Sequence, residues 1–170
     1  MATDFLLRPW RINDVESLVE NANDANIAKF MTDMFPHPYT KSNAESFISF
    51  ATKDDPVHIF AIEVDGKAIG GIGIHPQTDV MRKNAELGYW LGQNYWGKGI
   101  ITRAVQQMVD FGFKTFDITR IYARPYHTNI ASQRVLEKAG FTLEAKFEKT
   151  IFKDGEFLDE LVYAIRKRGA

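Results

Sequence analysis

Residues 84 to 124 carry the pattern that most restricts the fold. Asn84 to Leu91 reads as a strand and passes through a glycine-bearing loop at 92–99 directly into a segment where Ile101, Ala104, Val105, Met108 and Phe111 recur at helical spacing. Thr119 to Arg124 then reads as a second strand, ended by Pro125. A helix with one apolar face, set between two strands, must bury that face on a sheet, so the chain is expected to be α/β (α+β type).

The flanking segments extend this reading. Residues 4 to 10 suggest a first strand. Asn13 with Glu16, and Ser42 with Glu45, have capping-box spacing and predict helices through about Asn23 and about Lys53. Between them the apolar, proline-broken stretch 30–39 cannot be one continuous helix. Val57 to Val64 and Lys67 to His75 are β-rich and joined by Asp65-Gly66, a two-residue hairpin signal. Asn129 is placed to cap a helix ending at Gly140, and Phe141 to Phe152 pairs with Glu156 to Ile165 around Asp154-Gly155. The predicted order is β-α-α-β-β-β-α-β-α-β-β. No Pro/Gly/Ser-rich linker or repeat divides the 170 residues, so one domain over 1–170 is expected.

Composition narrows the chemistry. The absence of cysteine excludes disulfides, thiolate metal sites and a thiol nucleophile. His37, His58, His75 and His127 are scattered, no pair having metal-ligand spacing, and no metal is expected; His75 and His127 read as surface residues. A net charge of -1 supplies no broad basic face, so a nucleic-acid partner is not expected. Residues 1–85 hold 8 basic and 12 acidic side chains and residues 86–170 hold 13 and 10. The +3 of the second half suits an anionic ligand, and scatter among surface charges explains it equally well. No apolar run is long enough for a bilayer, and Met1-Ala2-Thr3-Asp4 lacks the basic and apolar regions of a leader; no membrane partner and a cytoplasmic location are expected.

The loop 92–99 is the first candidate site. Glycines at a helix N-terminus expose unpaired N–H groups where the helix dipole is positive, which suits a phosphate or pyrophosphate. Gly97 and Gly99 let an anion approach, Lys98 and Arg103 add positive charge, and Thr102 can donate. Taken alone, Gly-Lys-Gly is equally a tight turn with a solvated lysine. Neither the Walker pattern nor the dinucleotide fingerprint is present.

Three motifs together are more specific. Glu86-Leu87-Gly88-Tyr89-Trp90-Leu91, Trp96-Gly97-Lys98-Gly99, and the run from Asn129 through Ser132 and Leu136 to Gly140-Phe141 resemble, in order and spacing, the GNAT acyltransferase superfamily, in its RimJ/RimL-like branch. The resemblance runs through nearly the whole chain. It implies a GNAT-like central mixed, splayed β-sheet flanked by helices, the splay falling between strands 84–91 and 119–124, and acetyl-CoA as cosubstrate. It implies that the pantetheine arm bonds backbone near Leu91, that the pyrophosphate lies over the amides of Gly97, Lys98, Gly99, Ile100, Ile101 and Thr102, and that Asn129 and Ser132 lie beside the pantetheine and thioester. The family loop is Q/R-x-x-G-x-G/A; Trp96 replaces Gln/Arg, as is common in this branch, and Ile101 replaces the small residue. Many members carry a thiolate-protonating tyrosine where this chain has Leu136, so that role passes to Ser132, Tyr126 or water.

Amide formation from a thioester needs a neutral amine and a route for its proton. A lysine amine has a pKa of about 10.4 and an α-amino group about 7.7 to 8.0, a difference worth about 3.5 kcal/mol in favour of an N-terminal nucleophile. Glu86 is the candidate base, directly or through water, its alternative being an ion-paired structural carboxylate. The N–H near Leu91 is placed to polarise the thioester oxygen. Phe30, Met31, Met34, Phe35 and Tyr39 are expected as one wall of the acceptor site, Phe147, Phe152 and Phe157 as another, with Tyr126 also on the substrate side; singly, such aromatics are more often core.

The expected function is acetyl-CoA-dependent N-acetylation of a primary amine, a protein N-terminus first and a polyamine or aminoglycoside second. A non-catalytic CoA-binding sensor is the competing class, and a homodimer is a possible assembly.

Overall fold

The computed structural model describes residues 3–169, so two residues of the N-terminal tetrapeptide, Met1 and Ala2, lie outside the described residues. The described chain forms strands β1 (Leu6–Pro9), β2 (Ile59–Val64), β3 (Lys67–Pro76), β4 (Asn84–Leu91), β5 (Arg120–Ala123), β6 (Thr142–Lys153) and β7 (Glu156–Arg166). Its α-helices are α1 (Val15–Ala22), α2 (Ala25–Ala28), α3 (Lys41–Ala51), α4 (Ile100–Thr115) and α5 (Ile130–Lys138). The strands are hydrogen-bonded in the order β1-β2-β3-β4-β5-β7-β6, a mixed sheet as expected. The chain divides into two compact units, Met1–Gly73 with Tyr89–Ala104, and Ile74–Gly88 with Val105–Ala170.

In the first unit β1 pairs antiparallel with β2, and β2 with β3. The β2–β3 turn is the predicted one: Asp65 and Gly66 both have positive φ, 49° and 79°, the mirror-image turn that matches strand twist. Trp10, Leu18, Ala22, Ile27, Ile48 and Trp90 lead its buried cluster. Both N-terminal caps differ from expectation. Instead of Asn13 and Glu16, a 3-10 turn at Ile12–Asp14 precedes α1, because the Asp14 carboxylate accepts from the Arg11 N–H at 2.8 Å while also bonding Arg8. Instead of Ser42 and Glu45, Thr40 and Asn43 form the box of α3, which starts earlier as a result. The short α2, capped by Asp24, was not expected.

In the second unit β4 pairs parallel with β5, β5 antiparallel with β7, and β7 antiparallel with β6. The β4–β5 register is Asn84↔Arg120, Ala85↔Ile121 and Glu86↔Tyr122, and goes no further although β4 runs on to Leu91. That early end of the ladder is the expected splay. Ala104, Val105 and Met108 of α4 are fully buried, while Ile101 and Phe111 are only half-buried. A side chain at Gly112 would meet Ile74 at 2.8 Å and Ile121 at 3.1 Å, so glycine permits this helix to lie close on the sheet. Asp154 and Gly155 turn β6 into β7 with φ of 50° and 85°.

Candidate active site

The loop after β4 runs through two glycines into α4. A 3-10 turn at Gln93–Tyr95 is followed by Gly97 and Gly99, with φ of 73° and 70°, and α4 begins at Ile100. An L side chain at either glycine would be strained, and a Cβ at either would point into open space. The first amides of the 16-residue α4 have no intrahelical carbonyl to bond, so the bend presents N–H groups to solvent at the positive end of the helix dipole. This arrangement fits the diphosphate of acetyl-CoA. Ile101 and Thr102 are half-buried and Lys98 is exposed, its Nζ 5.1 Å from the Tyr95 ring centroid.

Two side chains near the loop are engaged in ways the sequence did not show. The Trp96 indole N–H donates to the Leu91 carbonyl at 2.7 Å, so the residue in the family's Gln/Arg position closes the loop onto the end of β4. Arg103, expected to add positive charge, donates to the Thr3 carbonyl and lies 4.9 Å from the Phe5 ring centroid.

In the second unit Glu86 occupies the last paired position of β4, half-buried, opposite Tyr122. Both of its oxygens accept from Arg124: Nε donates to Oε1 at 2.9 Å and Nη2 to Oε2 at 3.1 Å. The third nitrogen, Nη1, stands 3.6 Å from Glu160 Oε1. The hydrogen bond to Glu86 raises the Arg124 pKa above its ordinary value against the pull of partial burial. The Tyr122 phenol is pushed up by burial and then by the charge and hydrogen bond of Glu86. Arg124, Tyr122 and Glu160 were missed from sequence. The available signal was the alternation of Ile121 and Ala123, both buried, with Arg120, Tyr122 and Arg124, which puts the three polar residues on one strand face.

Asn129 is the N-cap of α5, its side-chain oxygen accepting from the Ser132 N–H at 3.2 Å. Ser132 is half-buried in the first turn. Leu136 is fully buried and carries no proton to donate. Tyr126 is 8% exposed and forms an isolated antiparallel bridge with Glu160, which makes it a packed residue rather than an open pocket wall. His127 is half-buried and held at both ends: its ring Nδ1 accepts from the Asp159 N–H and its backbone N–H donates to the Asp159 carbonyl, both at 2.9 Å, tying the turn before α5 to β7.

The expected acceptor walls separate into different environments. Tyr39 belongs to the core, 5% exposed, with its ring centroid 5.2 Å from Phe35, because the turn-rich segment folds back under its own apolar side chains. Burial pushes its phenol up to about 12. Phe35 is half-buried against Tyr39 and Trp90, Phe30 and Met31 are half-buried, and Met34 is 94% exposed. Phe147, Phe152 and Phe157 are all largely exposed on the β6–β7 hairpin, where the last two rings lie tilted to each other with centroids 5.0 Å apart. Among the described residues no group of three or more metal-ligating side chains is gathered, and no helix is long and apolar enough to cross a membrane.

An acetyltransferase (GNAT) domain matches residues 4–142. The uncharacterized N-acetyltransferase YnaD of Bacillus subtilis is 30% identical over 94% of this chain and 92% of its own length. The spermidine N(1)-acetyltransferase of Escherichia coli is 26% identical, covering 89% and 80%, and the ribosomal-protein-serine acetyltransferase of the same organism is 28% identical, covering 62% and 59%. Among solved structures, the microcin C7 self-immunity acetyltransferase MccE in complex with acetyl-CoA and AMP has a TM-score of 0.83 at 26% identity, covering 96% of this chain and 93% of that one. Mycobacterium smegmatis RimJ in complex with CoA-disulfide has a TM-score of 0.82 at 27% identity, covering 96% and 82%. With the loop geometry, the sheet and the matched domain in agreement, the chain belongs to the GNAT acetyltransferases, is RimJ/RimL-like, and is an acetyl-CoA-dependent N-acetyltransferase.

Proposed function

We propose that the chain, acting over residues 1–170 as one catalytic domain, acetylates a protein N-terminal amine, with Glu86 accepting the amine's proton. The observation that carries the base assignment is the position of Glu86: a half-buried carboxylate at the last paired residue of β4, where the ladder to β5 stops. Acetyl-CoA supplies the activated acetyl thioester. The chain's part is to hold it through the amides of Gly97 to Thr102 and the backbone of Leu91, with Asn129 and Ser132 contributing from the start of α5. The Leu91 N–H donates to the acyl oxygen, and Ser132 or water returns a proton to the departing sulfur, since Leu136 is apolar.

An α-amino group, neutral about a tenth of the time near pH 7, leaves Glu86 a modest task, whereas a lysine-type amine demands about 3.5 kcal/mol more. The relative named for ribosomal-protein serine supports this acceptor. A second reading, a polyamine acceptor, is favoured by the longer coverage of the spermidine acetyltransferase, 89% of this chain. Phe35 on the N-terminal side and Phe147, Phe152 and Phe157 on the hairpin are the proposed acceptor contacts.

Thiol release from acetyl-CoA, measured in parallel with a Ser-initiated peptide and with spermidine, tests this. Faster turnover of the peptide is expected. Faster turnover of spermidine establishes the second reading, and binding of acetyl-CoA with no release to either points to a sensor.

A further inference from the structure

Glu86 does not stand alone. Its carboxylate is held in a planar fork by Nε and Nη2 of Arg124, at 2.9 and 3.1 Å, and the same guanidinium turns its Nη1 toward Glu160 at 3.6 Å. A bidentate guanidinium fixes both the rotation and the plane of a carboxylate, which a single-point cation does not. The backbone beneath the fork is itself constrained. Pro125 restricts Arg124 to extended conformations, the Leu161 N–H donates to the Pro125 carbonyl at 3.0 Å, and Tyr126 bridges Glu160.

We infer that Arg124 is a positioning residue: its two-point hold sets the orientation of the Glu86 carboxylate. This rests on the reading of Glu86 as the base. The side chains of Arg124 and Glu86 are 48% and 28% exposed, and pairs that open to solvent contribute little to stability. What the pair controls is therefore the orientation of the carboxylate rather than the fold. The other groups facing Glu86 are the Tyr122 hydroxyl from β5 and, across the guanidinium, Glu160 from β7, with Arg120 4.7 Å from the Tyr122 ring centroid. With Arg124 replaced by a neutral side chain, Glu160 and Glu86 lose their shared cation and the two-point hold on the Glu86 carboxylate is gone.

The test is thiol release by the full-length protein with a Ser-initiated peptide and with spermidine, read beside the melting temperature. Arg124→Gln should lower kcat about tenfold or more and leave the acetyl-CoA KM and the melting temperature near those of the wild type. Arg124→Lys, which restores the charge without the two-point hold, should recover only part of the loss. The double variant Glu86→Gln with Arg124→Gln should be no slower than Glu86→Gln alone, because Arg124 acts through Glu86. An unchanged kcat in Arg124→Gln overturns the inference, as does a loss that a lowered melting temperature accounts for, or a double variant that loses the full Arg124 factor again. Full activity of Glu86→Gln instead removes the base assignment.

Discussion

Tyr39→Ala separates packing from substrate binding at the residue where sequence and structure diverge most. Tyr39 is 5% exposed, its ring packs against Phe35 at 5.2 Å, and Phe35 in turn meets Trp90 at 5.8 Å. Removing a buried aromatic ring forfeits its transfer free energy and leaves a cavity, together about 3 to 5 kcal/mol. The Tyr39 N–H to Asn23 bond is made by backbone and survives the substitution, so it adds nothing to the loss. For a chain of this length each kcal/mol lowers the melting temperature by about 2 to 4 °C, which gives a fall of about 6 to 20 °C. The assay pairs thermal unfolding with the KM of acetyl-CoA and of the acceptor, measured well below the lowered transition. Under those conditions both KM values should match the wild type. A melting temperature within about 2 °C of wild type, together with an acceptor KM raised severalfold, would refute the reasoning and return Tyr39 to the substrate wall. Tyr39→Phe adds a check by pH. Burial holds the phenol neutral to about 12, so its contribution is intact below its ordinary value near 10 and is lost as pH rises toward 12; the phenylalanine variant should lack that alkaline loss.

Three further outcomes are expected. Gly97→Asp combines a side chain at φ 73° with a carboxylate facing the proposed diphosphate, so the stabilisation of the protein by acetyl-CoA in a thermal-shift assay should disappear; an unchanged shift removes the loop from the cofactor site. Glu86→Gln keeps the shape and removes the proton acceptor, so kcat should fall about a hundredfold or more with acetyl-CoA affinity unchanged, and the deficit should shrink at alkaline pH, where amines are already neutral. Asp14→Asn breaks a buried pair whose side chains are each 6% exposed, leaves Arg8 with Glu63 alone, and should cost about 3 kcal/mol in denaturant unfolding. Burial alone would raise the Asp14 pKa, but bonds from Arg8 and the Arg11 N–H hold it below the ordinary value, so its contribution is present above about pH 4 and is lost as pH falls through the lowered value; the asparagine variant should lack this acid-dependent loss.

What the sequence determined by itself is local. Asp65-Gly66 and Asp154-Gly155 specify their turns because the residues tolerate positive φ, and Asn129 specifies a helix start because its side chain reaches an amide three residues on. Strand β4 and helix α4 were legible through periodicity, and Gly97 and Gly99 through their place between the two. Where several polar residues compete for one cap, spacing alone did not decide which hydrogen bonds form. Asp14 was drawn to Arg11 and Arg8, and Thr40 paired with Asn43, although Asn13 and Ser42 had the favoured spacing. Only the tertiary structure decided that Arg124, 38 positions from Glu86, pairs with it and also faces Glu160, since no periodicity links the three. The same holds for Tyr39, whose proline-flanked sequence reads as loop while its ring lies in the core, because burial depends on what the rest of the chain packs over a segment rather than on the segment's own conformation.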